Sequence, residues 1–496
     1  MLNNTTVAWM INYIWEDIAR LRWVILLLFA IGYSITASRF HFSAGEYLFY
    51  NLLALGACAV LLTQLKVFGQ CFAAVWLGLI ILVTVYFLRF YWIVIDPSPV
   101  KVMLPQNSYI EMLPQVDKLI NAFKLSVIAF SAFSLSAAAM FFLLRKQDAA
   151  THRTEEHGEI ASHWFIAKFI LLLLPPLMLA LAYIAHKYHI GEMGAAPGEP
   201  LPFRLKGVIF YARIVLLPLM ILQFMYSAAR SGHPVVARLG VLLLLTHGVI
   251  DMLIRGSRSS LLLCVLLLVF LLMARGIQLR RNEKIFIGIT VILAIVMVPI
   301  MTEYRYWRVQ HDFSVMDALN NAVGSVGIGW WGALMKGVEF VFFRMPGTES
   351  LWAMLSRGAE PLGMQSFDVF ATKNGLAGYL TYQIHPMKVE DNTLLAPGFV
   401  GWFYLVAGIP AILLGSAAAA IFSILGWKYL SRDYLVCGPV AQTFLLWMFF
   451  VALTEGTLDS MVYMVLAGIV SIAAMEFSLR LSKKHYSVNG LHDQFS

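Results

Sequence analysis

The chain has 496 residues, of which 60% are hydrophobic and 13% are charged, and its mean hydropathy is +0.75. This composition excludes an ordinary soluble globular protein and indicates a protein embedded in a membrane. The formal net charge of +8 matches the Lys and Arg that multi-span proteins retain in cytoplasmic loops, and it does not indicate a nucleic-acid partner.

Apolar runs close to the roughly 20 residues that cross a bilayer recur from Trp23 almost to the C-terminus. Residues 1–22 predict a short amphipathic helix on the cytoplasmic face. No small-residue cleavage site follows the first run, so it is predicted to remain as the first span. About twelve spans are predicted, near residues 23–38, 46–65, 70–95, 118–143, 161–185, 207–229, 237–254, 259–274, 285–302, 398–427, 434–454 and 459–479. The expected fold is an all-α, polytopic integral membrane protein.

A long polar segment, residues 303–396, interrupts these spans. It separates a membrane domain of nine spans (1–302) from three further spans (397–480) and a cytoplasmic tail (481–496). Within the segment, apolar spacing across Asp317–Phe343 predicts an amphipathic helix lying at the outer surface. Aromatic residues such as Trp352 either offer platforms to sugar rings, anchor the membrane interface or pack within the loop.

Basic residues indicate the orientation of the chain. Dense Lys and Arg clusters lie at 145–153, 275–284 and 480–484, and the positive-inside rule places all three in the cytoplasm. Both termini are then cytoplasmic, whereas the long loop and the turns after residues 254 and 454 share the opposite face. The polar chemistry is therefore predicted to converge on the external side.

Two charged pairs stand at that external boundary. Arg255 and Arg258 are three residues apart, so on a helix they share a face, and two guanidiniums suit the oxygens of a diphosphate. Alternatively, they reach lipid headgroups or pair with local carboxylates. Glu455 and Asp459, four residues apart, fit either a general base, a group that orients the arginines, or a structural ion pair with them.

The cysteines point to neither a disulfide framework nor a metal site, because all of them fall inside or at the ends of predicted spans without ligand spacing. The chain also lacks the phosphate-loop, metalloprotease and nucleophile-elbow motifs. These absences leave nucleotide hydrolysis and metalloprotease chemistry without support.

Three segments carry a resemblance, and they are Ile254–Leu261 (IRGSRSSL), Asn392–Ile409 (NTLLAPGFVGWFYLVAGI) and Thr454–Ser460 (TEGTLDS). In order and predicted sidedness, together with the long loop before the second, they resemble Wzy-type O-antigen and enterobacterial common antigen polymerases. The resemblance covers roughly residues 200–480. The chain departs from the pattern at Gly401-Trp402, where many O-antigen polymerases carry a Glu, and at Thr454, where common antigen polymerases tend to have Arg.

The resemblance implies a GT-C-like glycosyltransferase of the bacterial inner membrane that needs no metal or other cofactor. It would join undecaprenyl-diphosphate-linked repeat units into a surface polysaccharide at the outer face, among membrane lipids and beside a chain-length regulator and a flippase. The residues implied for the diphosphate are Arg255 and Arg258, with a loop arginine, Arg308 or Arg344, closing over it. The residues implied for catalysis are Glu455, Asp459 and His385.

Two alternatives stay open. An O-antigen ligase shares this architecture and carries a histidine in its external loop, a position that His385 fits. A lipid-linked sugar flippase or transporter belongs to a different class, and the chain shows no internal repeat between its halves to favour it.

Overall fold

The computed structural model describes residues 44–68, 73–96, 115–144, 157–192, 201–202, 205–257, 260–274, 281–311, 314–326, 330–344, 347–370, 372, 375–384, 397–430, 435–455 and 458–492. The described residues are overwhelmingly helical and contain no strand. The predicted amphipathic helix at 1–22 and the first predicted span lie outside them. The protein is an all-α, polytopic membrane protein, as its composition predicted.

The helices in chain order are α1 (Ala44–Phe68), α2 (Ala73–Ile95), α3 (Val116–Leu144), α4 (His157–Lys187), α5 (Leu205–Arg230), α6 (Pro234–Arg255), α7 (Ser260–Met273), α8 (Arg281–His311), α9 (Val315–Val326), α10 (Trp330–Arg344), α11 (Thr348–Ser356), α12 (Ser366–Phe370), α13 (Gly375–Ile384), α14 (Gly398–Leu430), α15 (Gly438–Glu455) and α16 (Leu458–His492).

In the part of the chain that the structure describes, eight helices are long and apolar enough to cross a membrane: α2 to α6, α8, α14 and α16. Shorter apolar helices lie at α7, α15 and Leu48–Ala57 of α1. Apolar sequence becomes helical here because a helix satisfies every backbone hydrogen bond within one segment, which hydrocarbon requires.

Two spans contain a π-helical stretch, at Leu82–Leu88 in α2 and at Ala212–Leu216 in α5. Such stretches widen the helix locally and often accompany functional sites. The first comes directly before Arg89 and the second contains Arg213, and both arginines are buried. Each π stretch therefore accompanies a charge inside the bundle.

The long polar segment is more deeply packed than the sequence predicted. Helix α8 continues past residue 303 to His311, and both α9 and α10 pack back against it. A Cβ on Gly337 of α10 would lie 2.1 Å from the carbonyl oxygen of Ile295, which is halfway along α8. The predicted surface helix across Asp317–Phe343 is thus wrong in its placement, because glycine lets α10 approach the middle of a span.

Helix α11 is buried from Thr348 to Leu355, although it belongs to the same polar segment. Its Glu349 accepts a hydrogen bond from Arg89 of α2 at 2.6 Å, and its Trp352 donates from Nε1 to the carbonyl oxygen of Gln115 at 3.0 Å. Of the alternatives for Trp352, the structure supports loop packing, because this side chain is almost fully buried.

Helix α14 is broken at Ala407 and Gly408, whose backbone angles are not helical. The polar segment binds next to the break: the amide of Leu362 donates to the carbonyl oxygen of Leu405 at 2.7 Å. The post-loop span is therefore tied to the loop that precedes it.

Hydrogen bonds between helix ends show which ends meet. Arg255, the last residue of α6, reaches the carbonyl oxygen of Gly191 just beyond α4, and Arg305 near the end of α8 reaches that of Gly256 just beyond α6. We call this end of the bundle, where α4, α6 and α8 finish, the site end. At the opposite end Glu476 of α16 accepts the amide of Cys437, just before α15. Which end faces the cytoplasm remains a prediction.

Candidate functional site

Arg255 is held in the last turn of α6. Gly256 follows it with φ +62°, a left-handed conformation that glycine adopts without strain and that commonly ends a helix. The guanidinium of Arg255 donates to Asp251 Oδ2 at 3.0 Å, one helical turn back, and to the carbonyl oxygen of Gly191 at 3.4 Å. It also lies 5.1 Å from the ring centre of Phe210. Local geometry thus fixes this arginine at the site end.

Asp251 is the buried anchor of the site. Its carboxylate accepts from Arg213 Nη2 at 2.5 Å, from Arg255 Nη1 at 3.0 Å and from Ser260 Oγ at 2.7 Å. Three helices, α5, α6 and α7, therefore meet at one side chain. A buried carboxylate is tolerated only when it is paired in this way, and here two guanidiniums share a single negative charge.

A second ion pair lies at the end of α8. Arg308 Nε donates to Glu192 Oε1 at 2.5 Å, and its Nη1 lies 3.2 Å from the hydroxyl oxygen of Tyr304. Tyr304 in turn donates to the carbonyl oxygen of Leu253 at 2.9 Å, which links α8 to α6. The other carboxylate oxygen of Glu192 lies 2.7 Å from His189 Nδ1.

Glu192 has an altered acidity. Burial tends to raise the pKa of its carboxyl group, but the hydrogen bonds from His189 and Arg308 outweigh burial and hold that pKa below its ordinary value of 4.5. Glu192 is therefore a carboxylate at neutral pH, and it keeps Arg308 paired.

Arg305 completes the cluster. Its Nε and Nη2 donate to the carbonyl oxygen of Gly256 at 3.3 and 3.1 Å. We define the arginine cluster as Arg213, Arg255, Arg305 and Arg308 with the carboxylates of Asp251 and Glu192. Four guanidiniums and two carboxylates of the described residues thus converge at the site end, and guanidinium groups are strong hydrogen-bond donors to anions.

The structure brings two of the seven predicted site residues, Arg255 and Arg308, into this cluster. Arg258 and His385 lie outside the described residues. Arg344 ends α10, Glu455 ends α15 and Asp459 is the second residue of α16, but the described side chains do not include theirs.

The carboxylate expected beside Arg255 was Glu455 or Asp459, and among the described side chains Asp251 takes that place. The roles of Glu455 and Asp459 remain predictions. The backbone does bring their segment close to α5, because the ring of Tyr463, one turn after Asp459, lies 6.3 Å from that of Tyr211. Tyr211 precedes Arg213 by two residues.

Sequence reasoning missed Arg213, Asp251 and Glu192. Two of them carried a usable signal, because Arg213 and Asp251 are charges inside predicted spans, where charge is rare and marks function. Asp251 also precedes Arg255 by four residues, the spacing of a helical ion pair. Glu192 carried none, because its partner lies 116 residues away.

The described residues contain no group of three His, Cys, Asp or Glu side chains placed to hold a metal ion. Comparison with known proteins identifies no relative: no family model, no curated protein and no solved structure matches the chain.

Proposed function

We propose that this protein is a polymerase that joins oligosaccharide repeat units carried on undecaprenyl diphosphate, in a bacterial inner membrane and at its outer face. The observation that supports the proposal is the arginine cluster, in which four guanidiniums gather at the end of a membrane helix bundle. A diphosphate on a lipid anchor carries the opposite charge, and its headgroup lies at the depth where spans end.

Glycosyl transfer from a lipid-linked diphosphate requires positively charged hydrogen-bond donors near the leaving group. An acceptor hydroxyl oxygen attacks the anomeric carbon of the donor, a new C–O bond forms, and the bond from that carbon to the diphosphate oxygen breaks. The bonding electrons leave with undecaprenyl diphosphate, and the hydroxyl proton passes to a base. Negative charge therefore grows on the diphosphate in the transition state, where preorganised donors stabilise it most.

Each residue then has a task. Arg255 and Arg308 hold the diphosphate, because the guanidinium fork matches phosphate oxygens. Arg213 and Asp251 fix Arg255 from the buried side. Arg258 and Arg344 are proposed as further ligands. Glu455, Asp459 and His385 are the candidates for the base.

The test compares single variants in a strain that lacks the chromosomal gene, with the surface glycan separated by size. Arg255→Ala and Arg308→Ala should each reduce polymerisation by roughly a hundredfold or more, the loss expected of a transition-state donor. Arg255→Lys should restore it only partly, because an ammonium lacks the fork. Arg480→Ala is the matched control, because Arg480 makes the same i,i+4 pair with Glu476 at the opposite end.

The deletion strain separates the three candidate functions. Surface glycan of one repeat unit supports the polymerase. A lipid core without glycan indicates the ligase, which has the same leaving group, and loss of all external repeat units indicates a flippase. Full-length polymer from well-expressed Arg255→Ala and Arg308→Ala proteins would show that the cluster is structural only.

A further inference from the structure

The outer face of α10 carries charge at an unusual depth. Gly337 faces α8 at Ile295, midway along a span that covers Ile287–Arg308. Lys336 and Glu339, which flank Gly337 within one turn, therefore lie level with the middle of that span. Both side chains are exposed at the protein surface.

Helix geometry places these charges on the outward side. At about 100° per residue, Glu339 is turned by about 200° from Gly337 and points away from α8. Beside it lie Trp331 and Met335, which are 62% and 53% exposed. The outer face of α10 is thus an apolar surface that contains one positive and one negative charge.

Hydrocarbon alone does not cover such a face well, because an unpaired charge inside a bilayer is costly and marks a functional contact. Among the described residues, no salt bridge involves Lys336 or Glu339. A polar partner at this depth would relieve the cost, and a partner that offers both signs of charge would pair with both side chains.

We propose that a second copy of this chain covers the outer face of α10. A two-fold axis along the membrane normal places equal residues at equal depth. Lys336 of each copy then meets Glu339 of the other, which lies only about 4.5 Å away along the helix axis, within reach of a lysine side chain. The face is complementary to itself, and Trp331 and Met335 lose their exposure in the contact. This inference is independent of the proposed function.

The first experiment measures the mass of the full chain extracted directly into polymer nanodiscs with native lipids. A dimer is expected. Lys336→Glu and Glu339→Lys should each shift it at least tenfold toward monomer, because each places like charges opposite one another. The double variant, with both charges reversed, should restore the dimer because the reciprocal pair re-forms, and this recovery also shows that the chain folds.

The second experiment locates the contact. Met335→Cys in membranes should give a disulfide-linked dimer on mild oxidation, because equal positions approach one another across the axis. Leu414→Cys on α14, 73% exposed, is the control and should remain uncrosslinked, with the natural cysteines present in both variants. A monomeric wild-type protein in native nanodiscs, or a dimer that survives both single charge reversals, would overturn the proposal.

Discussion

Replacing Arg89 by Met should undock α11 from the bundle. The Arg89 guanidinium lies 2.6 Å from Glu349 Oε1, and both side chains are 0% exposed. The amide of Gly347 donates to the same oxygen at 3.1 Å. Without Arg89, the Glu349 carboxylate would be buried with backbone amides as its described donors and without a positive charge beside it. Breaking one side of a buried pair in this way costs about 3–5 kcal/mol.

The loss of stability in the Arg89→Met protein should depend on pH, and the titration of Glu349 determines the direction of that dependence. Burial already raises the pKa of this carboxyl group above 4.5, although Arg89 opposes the rise. In the Arg89→Met protein the pKa rises further, so the folded state binds a proton that the unfolded state releases. Stability is then fully present below pH 4.5 and is lost as the pH increases through the raised pKa.

The assay combines thermal unfolding in detergent at pH 4.5 and pH 8 with labelling of Ser350→Cys, a nearly buried position on α11. The single variant should lose stability and become labelled at pH 8. Arg89→Met with Glu349→Gln should regain most of the loss, since no charge stays buried. Equal stability of wild type and Arg89→Met at pH 8, with the cysteine still protected, would refute the reasoning.

Three further changes test the packing of the site and of α10. Glu192→Gln should lower the free energy of unfolding by about 1.5–3 kcal/mol at pH 7, the value of a charged hydrogen bond. In thermal scans the difference in melting temperature from wild type should disappear as the pH falls below 4.5, because the wild-type ion pair with Arg308 is then lost. Asp251→Asn should lower the free energy of unfolding by at least about 3 kcal/mol, and with it the yield of folded protein, because it leaves two guanidiniums without a counter-charge. Size-exclusion profiles and thermal scans measure the effect, and an unchanged melting temperature would contradict the assigned role. Gly337→Ala should lower the melting temperature, because its Cβ would overlap α8, whereas Gly324→Ala, whose Cβ meets no atom within 4 Å, should not.

The membrane helices were predictable because their cause is local. A run of apolar residues of bilayer length becomes a helix wherever it occurs, since no other backbone arrangement satisfies its hydrogen bonds in lipid. The helices α2 to α7 follow the predicted spans closely, whereas α8 continues nine residues past its predicted end. Arg255 at the end of a span was predictable for the same reason, because it is the charge that stops the apolar run.

Tertiary structure decided what those helices bring together. Arg89 meets Glu349 across 260 residues and Arg308 meets Glu192 across 116, and no local pattern encodes such distances. The same holds for α10, whose apolar spacing suits an interfacial helix as well as one packed beside a span; the close approach at Gly337 selects the second. The energy of a charge pair depends on the distance between the charges and on their burial, and the packed bundle determines both. The length of an apolar run is instead a property of each segment by itself.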